Sequence, residues 1–130
     1  MRLLLDTHIL LWWVMADRRL SKTTAKALAS ADSDIAVSAA SLWEITIKRA
    51  LGRLEIDLDE LLSTIAADGF IELPLRFVHA RKLELLPRHH DDPFDRILIA
   101  QSIVEGRRLV TTDRTILDYA GLAGFDPLSD

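Results

Sequence analysis

The stretch HDDPFDRILIAQSIVEG, His90–Gly106, decides how this chain is read. It spells a helix with clear ends. Asp92 is placed to cap it, because a carboxylate accepts hydrogen bonds from the orphan N–H groups of a first turn. Pro93 follows at the first helical position, where its missing N–H costs nothing. Gly106 supplies the stop. Between them Phe94, Ile97, Leu98, Ile99, Ala100, Ile103 and Val104 make a wide apolar surface, so the helix is expected to be mostly buried. Asp95 lies in the first turn beside Arg96. The helix dipole favours a carboxylate there, so on this stretch alone Asp95 reads first as an N-terminal helix acid, and only the rest of the chain favours a functional group.

Working outward, the residues on both sides alternate between strand and helix. Downstream, Arg108–Thr111 reads as a strand, with Asp113 just beyond it. Arg114–Ala120 then reads as a short helix, and the tail from Gly121 as an edge strand around Phe125. Upstream, Leu75–Leu86 reads as a helix ended by Pro87, and Phe70–Leu73 as a strand closed by Pro74. A helix capped by Asp57 or Asp59 runs to Ala67, ended by Gly69. Leu54–Ile56 links it to a helix that starts at Ser38 or Ser41 and reaches Leu51. Ile35–Val37 is a strand, and Ser21 caps a helix from Lys22 to about Ala31. At the start, Leu3–Leu5 is a continuous apolar run, which suits a strand buried on both faces. Thr7 is placed to cap a helix from Ile9 to about Met15, and Asp17–Arg19 is a polar break. Strands alternating with helices predict an α/β fold with a mainly parallel sheet.

Length and composition narrow the function. The 130 residues fit one domain, 1–130, and 49% apolar content argues against disorder. With no cysteine there is no disulfide, thiolate zinc site or cysteine nucleophile, which suits a cytoplasmic protein. The opening apolar runs are broken by Asp6 and His8, so no signal peptide is expected. No apolar run approaches the roughly 18–20 residues of a membrane span. Net charge is −4, from 16 basic and 20 acidic residues. That disfavours a generally basic nucleic-acid surface. If several acids share one metal site, however, the remaining charge is balanced.

The acids fall at telling places. Asp6 and Asp113 each follow a strand, and ligands of open α/β sheets bind outside the carboxyl ends of strands. Both also have an ordinary reading as a turn or cap acid. Glu44 is the only charge in AASLWEITI, Ala39–Ile47. It either points into a pocket or pairs with Lys48 one turn on. Crowded carboxylates repel and raise one another's pKa, a cost that a divalent cation removes. Hard oxygen ligands without thiols suit Mg²⁺ or Mn²⁺ rather than zinc.

The remaining candidates are weaker. His8, His79, His89 and His90 have no metal-ligand spacing. His89 and His90 read as solvated loop residues, and His79 as a helix histidine. Ser38 and Ser41 lack a neighbouring base and read as caps, and no Gly-rich phosphate loop is present. Lys48, Arg49, Arg53, Arg107 and Arg108 read as surface charges that can touch phosphate. Trp12, Trp13 and Trp43 are many tryptophans for a small domain, used either in the core or under a partner.

DTH at Asp6–His8, SLWEITIK at Ser41–Lys48, LPRHHDDPFDRILIAQS at Leu86–Ser102 and LVTTD at Leu109–Asp113 together resemble a PIN-domain protein. The likeness is closest to the VapC toxins of type II toxin–antitoxin systems and covers nearly the whole chain. It implies an α/β/α sandwich with strand order 3-2-1-4-5 and a Mg²⁺- or Mn²⁺-dependent endoribonuclease leaving 5′-phosphate and 3′-hydroxyl ends. The family's acidic quartet falls on Asp6, Glu44, Asp95 and Asp113, as metal-binding and catalytic residues. Thr111 matches its supporting hydroxyl. Asp92 stays an N-cap and Asp91 a surface residue. The resemblance further implies an RNA substrate, a VapB-like antitoxin and a homodimer. Two other classes fit parts of the pattern. A phosphoacceptor receiver domain would need an acidic pair after its first strand, where only Asp6 stands. An inactive PIN fold used for binding would lack one of the acids, and none is lacking.

Overall fold

A computed structural model describes residues 1–88 and 91–130, so the readings of His89 and His90 lie outside the described residues. Five parallel strands form one sheet: β1 (Arg2–Leu5), β2 (Asp34–Ser38), β3 (Ile71–Leu73), β4 (Arg108–Thr111) and β5 (Leu128–Ser129). Their order is β3-β2-β1-β4-β5, as the resemblance implied. Seven helices surround them among the described residues: α1 (Thr7–Val14), α2 (Lys22–Ala29), α3 (Ala39–Ala50), α4 (Leu58–Ala67), α5 (Phe77–Lys82), α6 (Pro93–Glu105) and α7 (Arg114–Leu117). None is long and apolar enough to cross a membrane.

The apolar strands are explained by burial on both faces. Leu3 and Leu5 point to one side, where they pack with Ile9 and Leu10 of α1, Leu28 of α2, Ile45 of α3 and Leu61 of α4. Leu4 points to the other side, against Leu98, Ile99 and Ala100 of α6, Ile116 and Tyr119. The alternation of side chains along a strand therefore splits the core into two layers around the sheet. The central position of α6 explains why its apolar surface is so wide.

Several element ends differ from expectation. Asp6, not Thr7, takes the N-cap position of α1, and its side chain makes no cap bond. Thr7 instead starts the helix and sends its hydroxyl to Ser41 Oγ, 3.0 Å away. Ser38 is the cap of α3, accepting from Ala40 N–H, and Asp57 that of α4. The helix expected over 75–86 is shorter. Leu75 and Arg76 stay outside it after Pro74, and the chain tightens to a 3-10 turn at Leu83–Leu85. The last strand lies at Leu128–Ser129, after Pro127, while Phe125 is buried in the core. Helices α2 and α7 end two and three residues earlier than expected, at Ala29 and Leu117.

Asp92 caps α6 as expected, its Oδ1 accepting from Phe94 N–H at 2.8 Å and Asp95 N–H at 3.3 Å. Gly106 ends the helix in the left-handed region. Asp92→Ala is therefore expected to cost about 1 kcal/mol, read as a lower urea midpoint with an unchanged slope.

Candidate metal and catalytic site

The site is built where three strands end. Because β1 and β4 are parallel neighbours, the residues just beyond them, Asp6 and Asp113, follow adjacent strand ends at the carboxyl edge of the sheet. Thr111 joins the two. Its hydroxyl donates to Asp6 Oδ2 at 2.8 Å and accepts from Asp113 N–H at 3.0 Å. The hydroxyl two places before the last acid thus orients the first acid and anchors the backbone of the last.

Helix α3 brings the third acid. It starts directly at the end of β2, with Ser38 as its cap. Ser41 and Glu44 are three residues apart and share a helix face. Ser41 is tied to Thr7, the neighbour of Asp6, so that face is turned toward the β1 end. Glu44 is buried, 7% exposed. Lys48 Nζ lies 3.0 Å from its Oε2, the i,i+4 pair that the spacing allowed. Its other oxygen, Oε1, is buried and has no hydrogen-bond partner among the described residues.

The fourth acid enters from α6, which packs against α3. The Trp43 and Phe94 rings meet edge to face with centroids 5.1 Å apart. This contact pins the first turn of α6 to the middle of α3. Asp95 follows Phe94 and is buried. With Asp92 already bonded to the first N–H groups, Asp95 is not needed as a cap.

Burial dominates the electrostatics of Asp6. Desolvation pushes its carboxyl above the ordinary 3.8; the Thr111 hydroxyl, His8 and the Thr7 N–H pull it down, and Glu44 adds a smaller upward push. Asp6 and Glu44 therefore sense each other's charge. Asp113 spends Oδ1 on the Thr115 and Ile116 N–H groups, so its ordinary reading as the cap of α7 also holds. Among the described residues, no three carboxylate or imidazole groups are gathered closely enough to hold an ion together. Asp6 points at a hydroxyl, Glu44 at an ammonium and Asp113 at helix N–H groups. Like charges separate in this way when each has a different local partner.

The donor set still fits a hard divalent cation. Asp6 is desolvated, Glu44 carries an orphaned buried oxygen, and every candidate ligand is a carboxylate in a chain without thiols.

Sequence reasoning assigned no role to Gln101, which is fully buried. Its Oε1 accepts from Ser38 Oγ at 2.6 Å, and its Nε2 donates to Pro74 O at 3.2 Å. This amide locks the start of α3, and so the helix carrying Glu44, to α6. Gln101 and its neighbour Ser102 are both uncharged polar residues within the apolar run of α6, and nothing local marks which of them makes this link. His79 belongs to the same scaffold. Its Nδ1 accepts the Arg76 N–H at 3.0 Å, which leaves Nε2 to donate to Glu105 at 2.8 Å.

Two of the five basic candidates sit far from the site. Arg107 is buried at the amino edge of the sheet, bonded to Leu3 O and to Asp34. Arg108 holds Asp126 and Pro127 O. Arg49 and Arg53 are exposed beyond Lys48.

The tryptophans divide. Trp12 lies under the Arg19 guanidinium, 5.1 Å from the ring centre, and the bonds from Arg19 hold the Asp17 carboxyl down at about 2. Trp13 donates to Asp68 at 2.8 Å and packs on Phe70. Trp43 stays 58% exposed.

A family model described as the PIN domain matches residues 3–122. The chain is 31% identical over 122 residues to Ribonuclease VapC22 of Mycobacterium tuberculosis, covering 89% of this chain and 90% of that protein. Among solved structures it resembles VapBC2 from Rickettsia felis bound to a promoter DNA fragment. The TM-score is 0.72 at 14% identity, over 99% of this chain and 98% of that one. It also resembles VapBC-5 of Mycobacterium tuberculosis, with TM-score 0.65 at 18% identity and 98% of each chain covered. A toxin–antitoxin complex from Klebsiella pneumoniae gives TM-score 0.63 at 21% identity, over 95% of this chain and 94% of that one. At those identities the structural likeness is one of fold; the family model and the VapC22 identity carry the assignment. The chain belongs to the PIN-domain family and, within it, to the VapC-like branch.

Proposed function

We propose that this chain is a metal-dependent endoribonuclease, the toxin of a VapBC-type pair, which hydrolyses RNA phosphodiester bonds. The observation that carries the chemistry is the orphaned, buried Oε1 of Glu44 beside the desolvated Asp6. An unsatisfied carboxylate oxygen in a protein interior is costly, and a cation ligated there removes the cost. Asp6 and Asp95 are the principal ligands in this reading, and Glu44 and Asp113 complete the set directly or through water. A bound Mg²⁺ or Mn²⁺ would supply a Lewis acid that lowers the pKa of water and stabilises charge on the phosphate.

The protein's own contribution is position. Thr111 fixes the Asp6 carboxylate, Gln101 and Ser38 fix the start of α3, and the α6 cap fixes the backbone at Asp95. A water held by the acids on the far side of the phosphorus from the leaving oxygen would attack in line. The P–O3′ bond breaks, leaving a 5′-phosphate and a 3′-hydroxyl.

The partner reading rests on apolar surface beside the site. A groove of about 230 Å³ is lined by Trp43, Leu75, Ala80, Leu83, Phe94 and Ile97, among others. Phe77 nearby on α5 is 97% exposed. Exposed apolar surface of this kind marks an association site. We assign it to protein contact, with a VapB-type antitoxin as the proposed partner and a second copy of the chain as the other candidate. Trp43 and Phe94 line this groove and each precedes a site acid, so a partner seated there would reach the mouth of the site.

The deciding test is cleavage of a structured RNA by nuclease-free protein. EDTA should abolish cleavage, and Mg²⁺ or Mn²⁺ should restore it. Undiminished cleavage in EDTA would sink the metal-dependent reading.

A further inference from the structure

We infer that Lys48 is a built-in counter-cation that competes with the metal ion for Glu44. The inference rests on the reading of Glu44 as a metal ligand. Three observations support it. Lys48 is one helical turn from Glu44, with Nζ 3.0 Å from Oε2. Only that oxygen is satisfied, while Oε1 is buried and bare. The Lys48 side chain is 31% exposed, so it reaches the buried carboxylate while keeping a path to solvent.

The physics gives the pair two opposed effects. Without a metal, the ammonium offsets the charge of a buried carboxylate that also lies close enough to Asp6 to repel it. With a metal on Glu44, the same ammonium is a positive charge a few ångströms from a divalent cation. Its repulsion weakens metal binding, and Glu44 must loosen its hold on Lys48 to be shared. Lys48 therefore keeps the metal-free site folded while lowering its affinity for the ion. It acts as a positioning residue through Glu44 and takes no part in the bond-breaking step.

The test needs no RNA. Mn²⁺ affinity of the full chain is measured by calorimetry, and melting temperature is followed in EDTA and with Mg²⁺. The variants are Lys48→Met, Lys48→Gln, Lys48→Arg and Glu44→Gln. Lys48→Met is expected to melt lower than the parent in EDTA, yet bind Mn²⁺ on the order of tenfold more tightly, with the gain shrinking as salt is raised. Lys48→Gln should follow it and guards against a folding defect in the methionine variant. Lys48→Arg should stay near the parent. Unchanged or weaker Mn²⁺ binding in the two neutral variants overturns the inference. Glu44→Gln separates the two levels. If it weakens Mn²⁺ binding while the neutral Lys48 variants do not strengthen it, the site reading stands and the competition fails. If it leaves Mn²⁺ binding unchanged, Glu44 is no ligand and both fail.

Discussion

Asp6→Asn is expected to lose RNA cleavage and, in EDTA at neutral pH, to melt at a higher temperature than the parent. The two effects have one cause. Asp6 is almost fully buried, and desolvation raises its carboxyl pKa above the ordinary value. A group whose pKa is higher in the folded state than in the unfolded one binds more protons when folded. Its contribution to stability is complete below the unfolded pKa, near 3.8, and is lost as pH rises through the raised folded value. At neutral pH the ionised Asp6 therefore weakens the metal-free fold. Asparagine removes the charge, and its side-chain oxygen can still accept from Thr111. The gain should be a few degrees, since about 1 kcal/mol moves the midpoint of a domain this size by roughly 4 °C. The pH profile is the sharper check. The parent in EDTA should lose stability relative to the variant as pH rises from about 4, and the two curves should run parallel below that range. Saturating Mg²⁺ should reverse the order, because binding stabilises the parent in proportion to RT ln(1 + [L]/Kd). An asparagine variant no more stable than the parent at any pH would mean that Thr111 and the other dipoles fully offset the burial of Asp6.

How much of this was legible in the sequence depends on the range of the contacts. The α6 helix was readable because its cap, proline and stop lie within one stretch. The parallel sheet was readable because strands buried on both faces lose their polar alternation. The positions proposed for the site were marked locally: Asp6 and Asp113 just beyond strands, Asp95 in the first turn of α6, Glu44 as the lone charge of an apolar stretch, and Thr111 by its place in LVTTD. The actual bonds of Asp6 were not. An acid directly before a helix looks like a cap, and only the arrival of Thr111 from the neighbouring strand β4 gives its carboxylate a different partner. Gln101 was invisible for the same reason. Its contacts with Ser38 and Pro74 join segments far apart in the chain, and no local pattern signals which polar residue in an apolar helix will find such partners. The late start of α5, at Phe77, follows from its packing. His79 turns back to the Arg76 N–H and across to Glu105, which sets the helix start more strongly than apolar periodicity does.

Asp95→Asn separates the two readings of this residue, helix acid and metal ligand. The helix-acid reading gives Asp95 a stabilising role through the dipole, worth about 0.3–1 kcal/mol, and no role in cleavage. The structure weakens that reading, because Asp92 already accepts from the first N–H groups of α6, including that of Asp95 itself. Asp95 is moreover buried, where an acid placed only for the dipole would gain from staying in water. If it is a ligand, exchanging its charge for an amide should cut cleavage by more than about a hundredfold, since even residues that merely support metal ligands cost tenfold to a hundredfold when changed. The melting-temperature rise produced by Mg²⁺ should collapse with it. Asp92→Ala supplies the contrast, with lower stability in EDTA, a largely preserved Mg²⁺ response and retained cleavage when assayed well below its midpoint. The decisive comparison is the Mg²⁺-induced shift across the parent, Asp92→Ala and Asp95→Asn. A full shift and parental cleavage in Asp95→Asn would return this residue to the helix dipole and leave Asp6, Glu44 and Asp113 to account for the chemistry alone.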